Sequence, residues 1–334
     1  MVKKLLKKIL ILCSPFLLIA ICYVITDPFK KIWSYDYYLY DYLMLGRGDI
    51  STRVYLKNRD KFQYDSFIFG SSRSCAHTSK EWKKYLDPGD HPYSFGSFNE
   101  PMLGIYRKIA LIDSLNGKMK NAFIIIDLDR TFLKSSIHFL NYDHYLISGV
   151  SRYEYYLSDF ITYLNSPTLL MKSVDYKLFH KQRKYMDGFV GMQKEDWDPV
   201  TNDWYPREDE KVLDTATYYG KHMRVFYKRP PFQQYEKKQI DEFQENILLK
   251  MAAIFKKHHT NYKFIIAPLY NQKKMDTTDL KLLQLIFNKE SIYNYSGIND
   301  ITNNIYNFSN DSIHYRPVVG KLIFKEIYNV KQAQ

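Results

Sequence analysis

Two short stretches hold the residues of this chain best suited to chemistry. One is Phe69-Gly70-Ser71-Ser72-Arg73-Ser74 and the other is Asn310-Asp311-Ser312-Ile313-His314-Tyr315. A serine hydroxyl is a weak nucleophile until a neighbouring base takes its proton. Histidine serves as that base when a carboxylate orients its ring and balances the imidazolium charge. Ser72, His314 and Asp311 are therefore an inventory for acyl transfer through an acyl-serine. Either motif alone is weak, since a Gly-Ser-Ser turn or a capping histidine occurs without catalysis. Their placement carries the reading: one follows the first apolar strand and the other precedes the last helix.

Such residues need a rigid sheet behind them. Apolar strands at 66–69, 93–95, 122–126, 264–267 and 292–295 alternate with helical patterns at 79–86, 101–115, 233–257, 278–288 and 318–328. This alternation predicts a parallel sheet covered on both faces, with ligand-contacting residues in the loops that leave the strands. The unbroken apolar run 122–126 reads as a strand buried on both sides. The α/β domain is expected over 65–334, interrupted at about 131–231 by a tyrosine-dense insertion, helical and irregular. Trp197 and Trp204 lie in that insertion, where they could stack on sugar rings or serve as core aromatics. The segment 31–64 shows little periodicity and reads as a connector.

The amino terminus carries the topological signal. Lys3, Lys4, Lys7 and Lys8 precede an uncharged apolar run over 9–26, 18 residues long and close to the roughly 20 that span a bilayer. The positive-inside rule puts the lysines in the cytoplasm. Residues 1–30 are thus expected to form a cytoplasmic tip and a single transmembrane anchor, with the main domain outside the cytoplasmic membrane. The run lacks a small-x-small cleavage site, which argues against a removed signal peptide. Cys13 and Cys22 sit inside it, so Cys75 is the one thiol beyond it and the exported part cannot form an internal disulfide.

Composition narrows the class. The chain has 334 residues, 46% of them hydrophobic and 25% charged, which fits a packed globular protein and excludes wholesale disorder. Mean hydropathy is −0.41, and one long apolar run excludes a multi-span transporter. A net charge of +12 is spread along the chain without a stripe, so nucleic acid is not expected as a partner. Diffuse positive charge favours anionic glycan or lipid headgroups. His258 and His259 are adjacent and face different sides of a helix, and the other histidines lack ligand spacing, so neither a metal nor a cofactor is expected.

At its two motifs the chain resembles the SGNH (GDSL-like) hydrolase superfamily, whose first block ends in the nucleophilic serine and whose last block is Asp-x-x-His. Ser72 falls on the nucleophile, with Ser71 where that family has an aspartate, His314 on the general base and Asp311 on its partner. The resemblance implies a flavodoxin-like three-layer α/β/α fold with a mostly parallel five-stranded sheet. It also implies an oxyanion hole from the N–H groups of Ser72 and Gly96. The family's third block supplies an asparagine where this chain has Asp129, so Asn99 is the side-chain donor expected instead. Arg73, Asp127 and Asp129 are expected to line the rim. The long insertion and the anchor are similar to the membrane-bound branch of the family that works in cell-envelope acylation. That branch implies an esterase or O-acyltransferase acting on an envelope polysaccharide, with a membrane-bound O-acyltransferase as partner.

Two other readings stand beside this one. A catalytically silent scaffold would keep the fold and bind glycan or a membrane partner. The stretch Asp127-Leu128-Asp129-Arg130-Thr131 after an apolar strand also resembles the first motif of haloacid dehalogenase-type phosphatases, with Asp127 as nucleophile.

Overall fold

Among the described residues seven short strands form in chain order: β1 Ser66–Phe69, β2 Pro92–Ser94, β3 Asn121–Ile126, β4 Gln234–Tyr235, β5 Asn261–Ile266, β6 Lys273–Lys274 and β7 Ile292–Asn294. Five build one sheet in the order β2-β1-β3-β5-β7, while β4 and β6 pair separately. Every pairing in the large sheet is parallel, with Ile68 opposite Ser94 and Phe123, and Ile124 opposite Phe264. β1 and β3 are buried along their whole length, as a sheet covered on both faces requires. The structure, a computed structural model, describes residues 2–36, 38, 46–186, 197–205, 219–220 and 222–329. Parts of the expected connector (37 and 39–45) and insertion (187–196, 206–218 and 221), together with Met1 and the tail 330–334, lie outside the described residues.

The chain divides into two compact units, Met1–Leu45 with Gly149–Lys194, and Gly46–Ser148 with Glu195–Gln334. The second holds the sheet. Its connection from β1 to β2 runs one way across the sheet, and those from β2 to β3, β3 to β5 and β5 to β7 run the other. Right-handed crossovers then place the two sets of helices on opposite faces. Accordingly Met102–Ser114 packs against Glu242–His258. Across the sheet, Trp82 of the Ser79–Trp82 helix donates its indole N–H to the Tyr328 hydroxyl of Pro317–Asn329 at 2.7 Å. Reversal of direction between β1 and β3 opens a crevice at their carboxyl ends, where ligands bind in such sheets.

Two elements depart from the sequence reading. Residues 47–62, expected as part of a connector, form a 16-residue helix of the sheet unit. Its buried face mixes Ile50, Val54 and Tyr55 with Arg47, Gly48, Asp49, Ser51 and Thr52, and the polar residues among them dilute the hydrophobic periodicity. The two hydroxyls are satisfied locally: Ser51 and Thr52 both donate to the Gly48 carbonyl at 2.9 Å. The helix expected from 233 begins at Glu242 because the Asp241 side chain caps the Gln244 N–H. Upstream, Gln234–Tyr235 is drawn into the small sheet. The expected insertion at 131–231 is also divided, since only Gly149–Lys194 leaves the sheet unit.

In the first unit, the apolar run lies in the helix Val2–Thr26. Its segments Val2–Ile9 and Ile11–Thr26 meet at a 40° bend. Pro15 explains the bend, because it cannot donate to the Ile11 carbonyl and its ring crowds that turn. The Ser14 hydroxyl donates to that carbonyl instead, at 2.8 Å. Among the described residues no single helix is long and apolar enough to cross a membrane, although the two bent segments together reach that length and composition. A helical hairpin, Arg152–Leu164 and Pro167–Phe179, packs on the end of this helix around Tyr23, Tyr163, Leu169 and Met186.

Candidate active site

β1 leads into a 3-10 turn, Ser72–Ala76, capped by the Ser71 hydroxyl, which accepts the Arg73 N–H at 3.3 Å. Ser72 therefore opens the turn at the carboxyl end of the sheet. Residues 308–315 form a tight loop closed by an antiparallel bridge between Phe308 and Tyr315, with the Ser309 N–H bonded to the His314 carbonyl at 2.8 Å. Within it, Asp311 Oδ1 accepts the backbone N–H groups of Ile313 and His314 at 2.8 and 3.0 Å. Its other oxygen, Oδ2, meets His314 Nδ1 at 2.5 Å. The opposite ring nitrogen, Nε2, lies 2.7 Å from Ser72 Oγ. The network calls for the tautomer with hydrogen on Nδ1, which leaves Nε2 as the acceptor for the serine proton.

Solvent reaches this relay, because the His314 and Asp311 side chains are 34% and 39% exposed. Burial by itself raises the Asp311 carboxyl. Hydrogen bonds from the His314 ring and backbone, with the histidine's charge, outweigh it and hold the group below its ordinary range. Asp311 is thus an anion at neutral pH, as a partner that stabilises an imidazolium must be.

Two close approaches hold the loop of His314 and the turn of Ser72 together. Arg73 donates Nε–H to the Ile313 carbonyl at 2.9 Å, next to His314, and grips Asp129 with both terminal nitrogens at 2.7 and 3.0 Å. Gly320, in the helix that follows the loop, lies against the nucleophile's turn so closely that a Cβ there would sit 1.9 Å from the Ala76 carbonyl oxygen. Behind the loop, the buried Tyr315 hydroxyl meets His77 Nε2 at 2.9 Å.

Of the donors expected for an oxyanion, Ser72 lies in the turn after β1, and Gly96 and Asn99 lie in the loop after β2. Ser97 N–H bonds the Gly70 carbonyl at 3.1 Å, drawing that loop against the nucleophile's turn. A Cβ at Gly96 would meet Ser74 Oγ at 2.5 Å, an Arg47 nitrogen at 2.9 Å and the Gly70 carbonyl at 3.1 Å, so a larger residue there would have to displace the buried Ser74 and Arg47 side chains. Among the described residues, the N–H groups of Ser72 and Gly96 and the Asn99 side chain donate to no protein acceptor. Asn99 sits at φ +50°, a left-handed conformation that asparagine tolerates better than most residues.

The expected rim is corrected in part. Asp129 is 32% exposed and paired with Arg73, but Asp127 is fully buried. Asp127 accepts the Ser71 hydroxyl and lies 3.4 Å from Arg73. Arg73 itself is only 5% exposed. The physical reason is strand register: Asp127 follows directly on the buried β3, next to the exit of β1, and so faces the interior. Burial pushes its carboxyl up while Arg73 pulls it down. A carboxylate closed off in this way cannot reach phosphorus, which removes the support for the phosphatase reading. Trp197 and Trp204 are likewise buried, at 3% and 4% exposure, with Trp204 over the Arg47 guanidinium. They act as core aromatics.

Sequence reasoning missed Arg47. It is fully buried with no acidic partner among the described residues, and it lies behind the nucleophile's turn. It donates to Cys75 Sγ at 2.8 Å, Ser74 Oγ at 3.1 Å and Ser94 Oγ at 3.4 Å, and so ties the β1 exit to the end of β2. Burial raises the Cys75 thiol, against the pull of Arg47. Compared with known proteins, the chain matches no family model and no curated sequence.

Proposed function

We propose that this chain is an extracytoplasmic serine acyl-esterase or O-acyltransferase of the SGNH type, acting on a cell-envelope polysaccharide through an acyl-Ser72 intermediate. One observation carries the reading: the relay Ser72 Oγ to His314 Nε2 to Asp311 at 2.7 and 2.5 Å, at the carboxyl end of a parallel sheet. The strand order supports a flavodoxin-like three-layer α/β/α fold with its site at the reversal between β1 and β3. The helix Val2–Thr26 supports a single-pass anchor with the amino terminus in the cytoplasm. Lys3, Lys4, Lys7 and Lys8 precede its apolar run, along which Leu12, Phe16, Leu17 and Ile21 stand exposed. A tether of this kind suits a reaction with membrane-bound donors, and a membrane-bound O-acyltransferase partner belongs to the same reading.

In the mechanism, His314 Nε2 takes the Ser72 proton as Oγ attacks the acyl carbonyl carbon. The oxyanion is held by the N–H groups of Ser72 and Gly96 and by the Asn99 amide, which fills the role that Asp129, bound to Arg73, cannot. The imidazolium, steadied by Asp311, returns its proton to the leaving alcohol as the C–O bond breaks. Water or a sugar hydroxyl then attacks the acyl carbon as His314 takes its proton, the bond from that carbon to Ser72 Oγ breaks, and the imidazolium returns the proton to Ser72.

The test uses the full chain in detergent, a fluorophosphonate probe and p-nitrophenyl acetate with and without acceptor glycan. Ser72→Ala and His314→Ala are each expected to abolish most turnover. Their double variant should be little worse, because the residues act as a unit. Asp311→Asn should cost less than Ser72→Ala. A folded protein whose Ser72 is never labelled, alone or with its membrane partner, would overturn the enzyme reading in favour of a scaffold.

A further inference from the structure

We propose that the helical hairpin Arg152–Leu164 and Pro167–Phe179 lies in the headgroup region of the outer bilayer surface, its apolar stripe toward the acyl chains and its basic end on anionic lipid. The inference rests on the anchor reading of Val2–Thr26 and adds a second membrane contact to it.

Depth is the first argument. The uncharged run 9–26 rises about 27 Å as a helix, close to the ~30 Å hydrocarbon thickness, so its last two turns emerge at the outer boundary. The hairpin is fastened to those turns. Tyr23 packs on Phe160 and Tyr163 with ring centroids 5.3 and 5.2 Å apart. Ile19, Phe29 and Ile32 join the same buried cluster. Lys31 pairs with Asp159 at 2.9 Å just beyond the helix end. Tyr23 and Ile19 lie about 5 and 10 Å inside the end of the run, the depth to which an interfacial helix buries its apolar face, so a segment packed on them reaches the outer boundary when the helix spans.

Chemistry is the second argument. Tyr153, Leu157 and Ile161 fall four residues apart along one helix line and are 88%, 55% and 46% exposed. On the second helix Met171, Leu178 and Phe179 are exposed to 60%, 67% and 61%. Around the last two the exposed residues Lys177, His180, Lys181 and Lys184 gather, and the single acid of 171–184, Asp175, is bound by Arg183 at 2.7 Å. Apolar and aromatic residues on one side with lysines beside them make the pattern of a helix lying in an interface. The lysine cluster complements anionic headgroups.

The test uses the full chain, with its three cysteines replaced, in vesicles of phosphatidylcholine and phosphatidylglycerol that carry acyl-brominated lipid. Single bimane labels are read at Leu12→Cys, Leu157→Cys and Leu178→Cys, with Glu154→Cys as a reference on the same helix. Quenching at Leu157 and Leu178 at least about twofold above Glu154, and falling at Leu178 when phosphatidylglycerol is omitted, is the expected result. Quenching at Leu12 with none at Leu157 and Leu178 would overturn the hairpin inference and keep the anchor, leaving the stripe for a membrane-protein partner. Absence of quenching at Leu12 would overturn the anchor reading and the inference with it.

Discussion

Replacing Gly320 by alanine isolates the contact that seats the base against the nucleophile. The added Cβ would stand 1.9 Å from the Ala76 carbonyl oxygen and 2.7 Å from its carbon, both backbone atoms of the turn that Ser72 opens. Carbon and oxygen do not approach within about 3.0 Å, so the helix Pro317–Asn329 and the turn must separate by about 1.1 Å. Carried to the relay, that movement stretches the 2.7 Å contact of Ser72 with His314 to about 3.8 Å, beyond hydrogen-bond reach. Two effects on stability compete. Alanine gains about 1 kcal/mol over glycine inside a helix, while overpacking against a fixed backbone costs about 1–3 kcal/mol. The clash wins, so a lower Tm is expected. A misplacement of this size lowers reactivity about 100-fold. The assay is the second-order rate of Ser72 labelling by a fluorophosphonate, followed with thermal unfolding. Val318→Ala, at a half-exposed position of the same helix, serves as the control and should leave both unchanged. Wild-type labelling rate together with a raised Tm in Gly320→Ala would refute the reasoning, since it would mean that the helix does not bear on the turn.

Burial pushes His77 down to about 3, so the unfolded chain takes up a proton near pH 6.5 that the native state refuses. Stability should therefore fall as pH drops from about 6.5 toward 3, by up to about 1.4 kcal/mol per unit, and His77→Gln should flatten that decline; urea midpoints at pH 7 and 5 with an unchanged slope would count against it. Arg47→Met leaves Ser74, Ser94 and the Ser71 carbonyl without their buried donor and should cost about 2–4 kcal/mol in urea unfolding and slow Ser72 labelling. Arg47→Lys should not restore it, because an ammonium cannot fork across both loops. Asp127→Ala strips a buried partner from Arg73 and should cost about 3–5 kcal/mol, whereas Asp129→Asn, at a third exposed, should keep labelling within about threefold; equal losses would show that the two carboxylates are not divided as described.

The Ser72–His314–Asp311 relay lies at the crevice where the sheet changes direction, and buried arginines fix two loops there. Arg73 ties the loop of the base to the carboxyl end of β3, and Arg47 ties the nucleophile's turn to the end of β2. Neither arginine touches the relay itself. Both are buried cations whose donors end on loop carbonyls and hydroxyls or, for Arg73, on aspartates, which makes loop position dependent on charge that cannot be shed.

Strand and helix alternation was legible without coordinates because each main strand is a short apolar run and the helices behind it repeat at 3.6 residues. Met102–Ser114, for example, buries Ile105, Ile109 and Ile112. Chain order also brought Ser72 to the first strand's exit and Asp311 with His314 ahead of the last helix, so the relay could be named from types and spacing. Local pattern did not reveal the helix at 47–62, whose buried face mixes polar residues with Ile50, Val54 and Tyr55, nor Arg47 upon it, because burial of a charge depends on acceptors 24 to 47 residues away. Nor could it tell Asp127 from Asp129. The two carboxylates stand two positions apart after one strand, yet one is sealed beneath Ser71 and the other opens to solvent. Gly320 likewise lies within the helical pattern at 318–328, with nothing in the sequence to single it out. Tertiary structure alone shows it to be the point where two backbones meet, because side-chain type follows from local periodicity whereas close approach depends on which distant segments the sheet brings together.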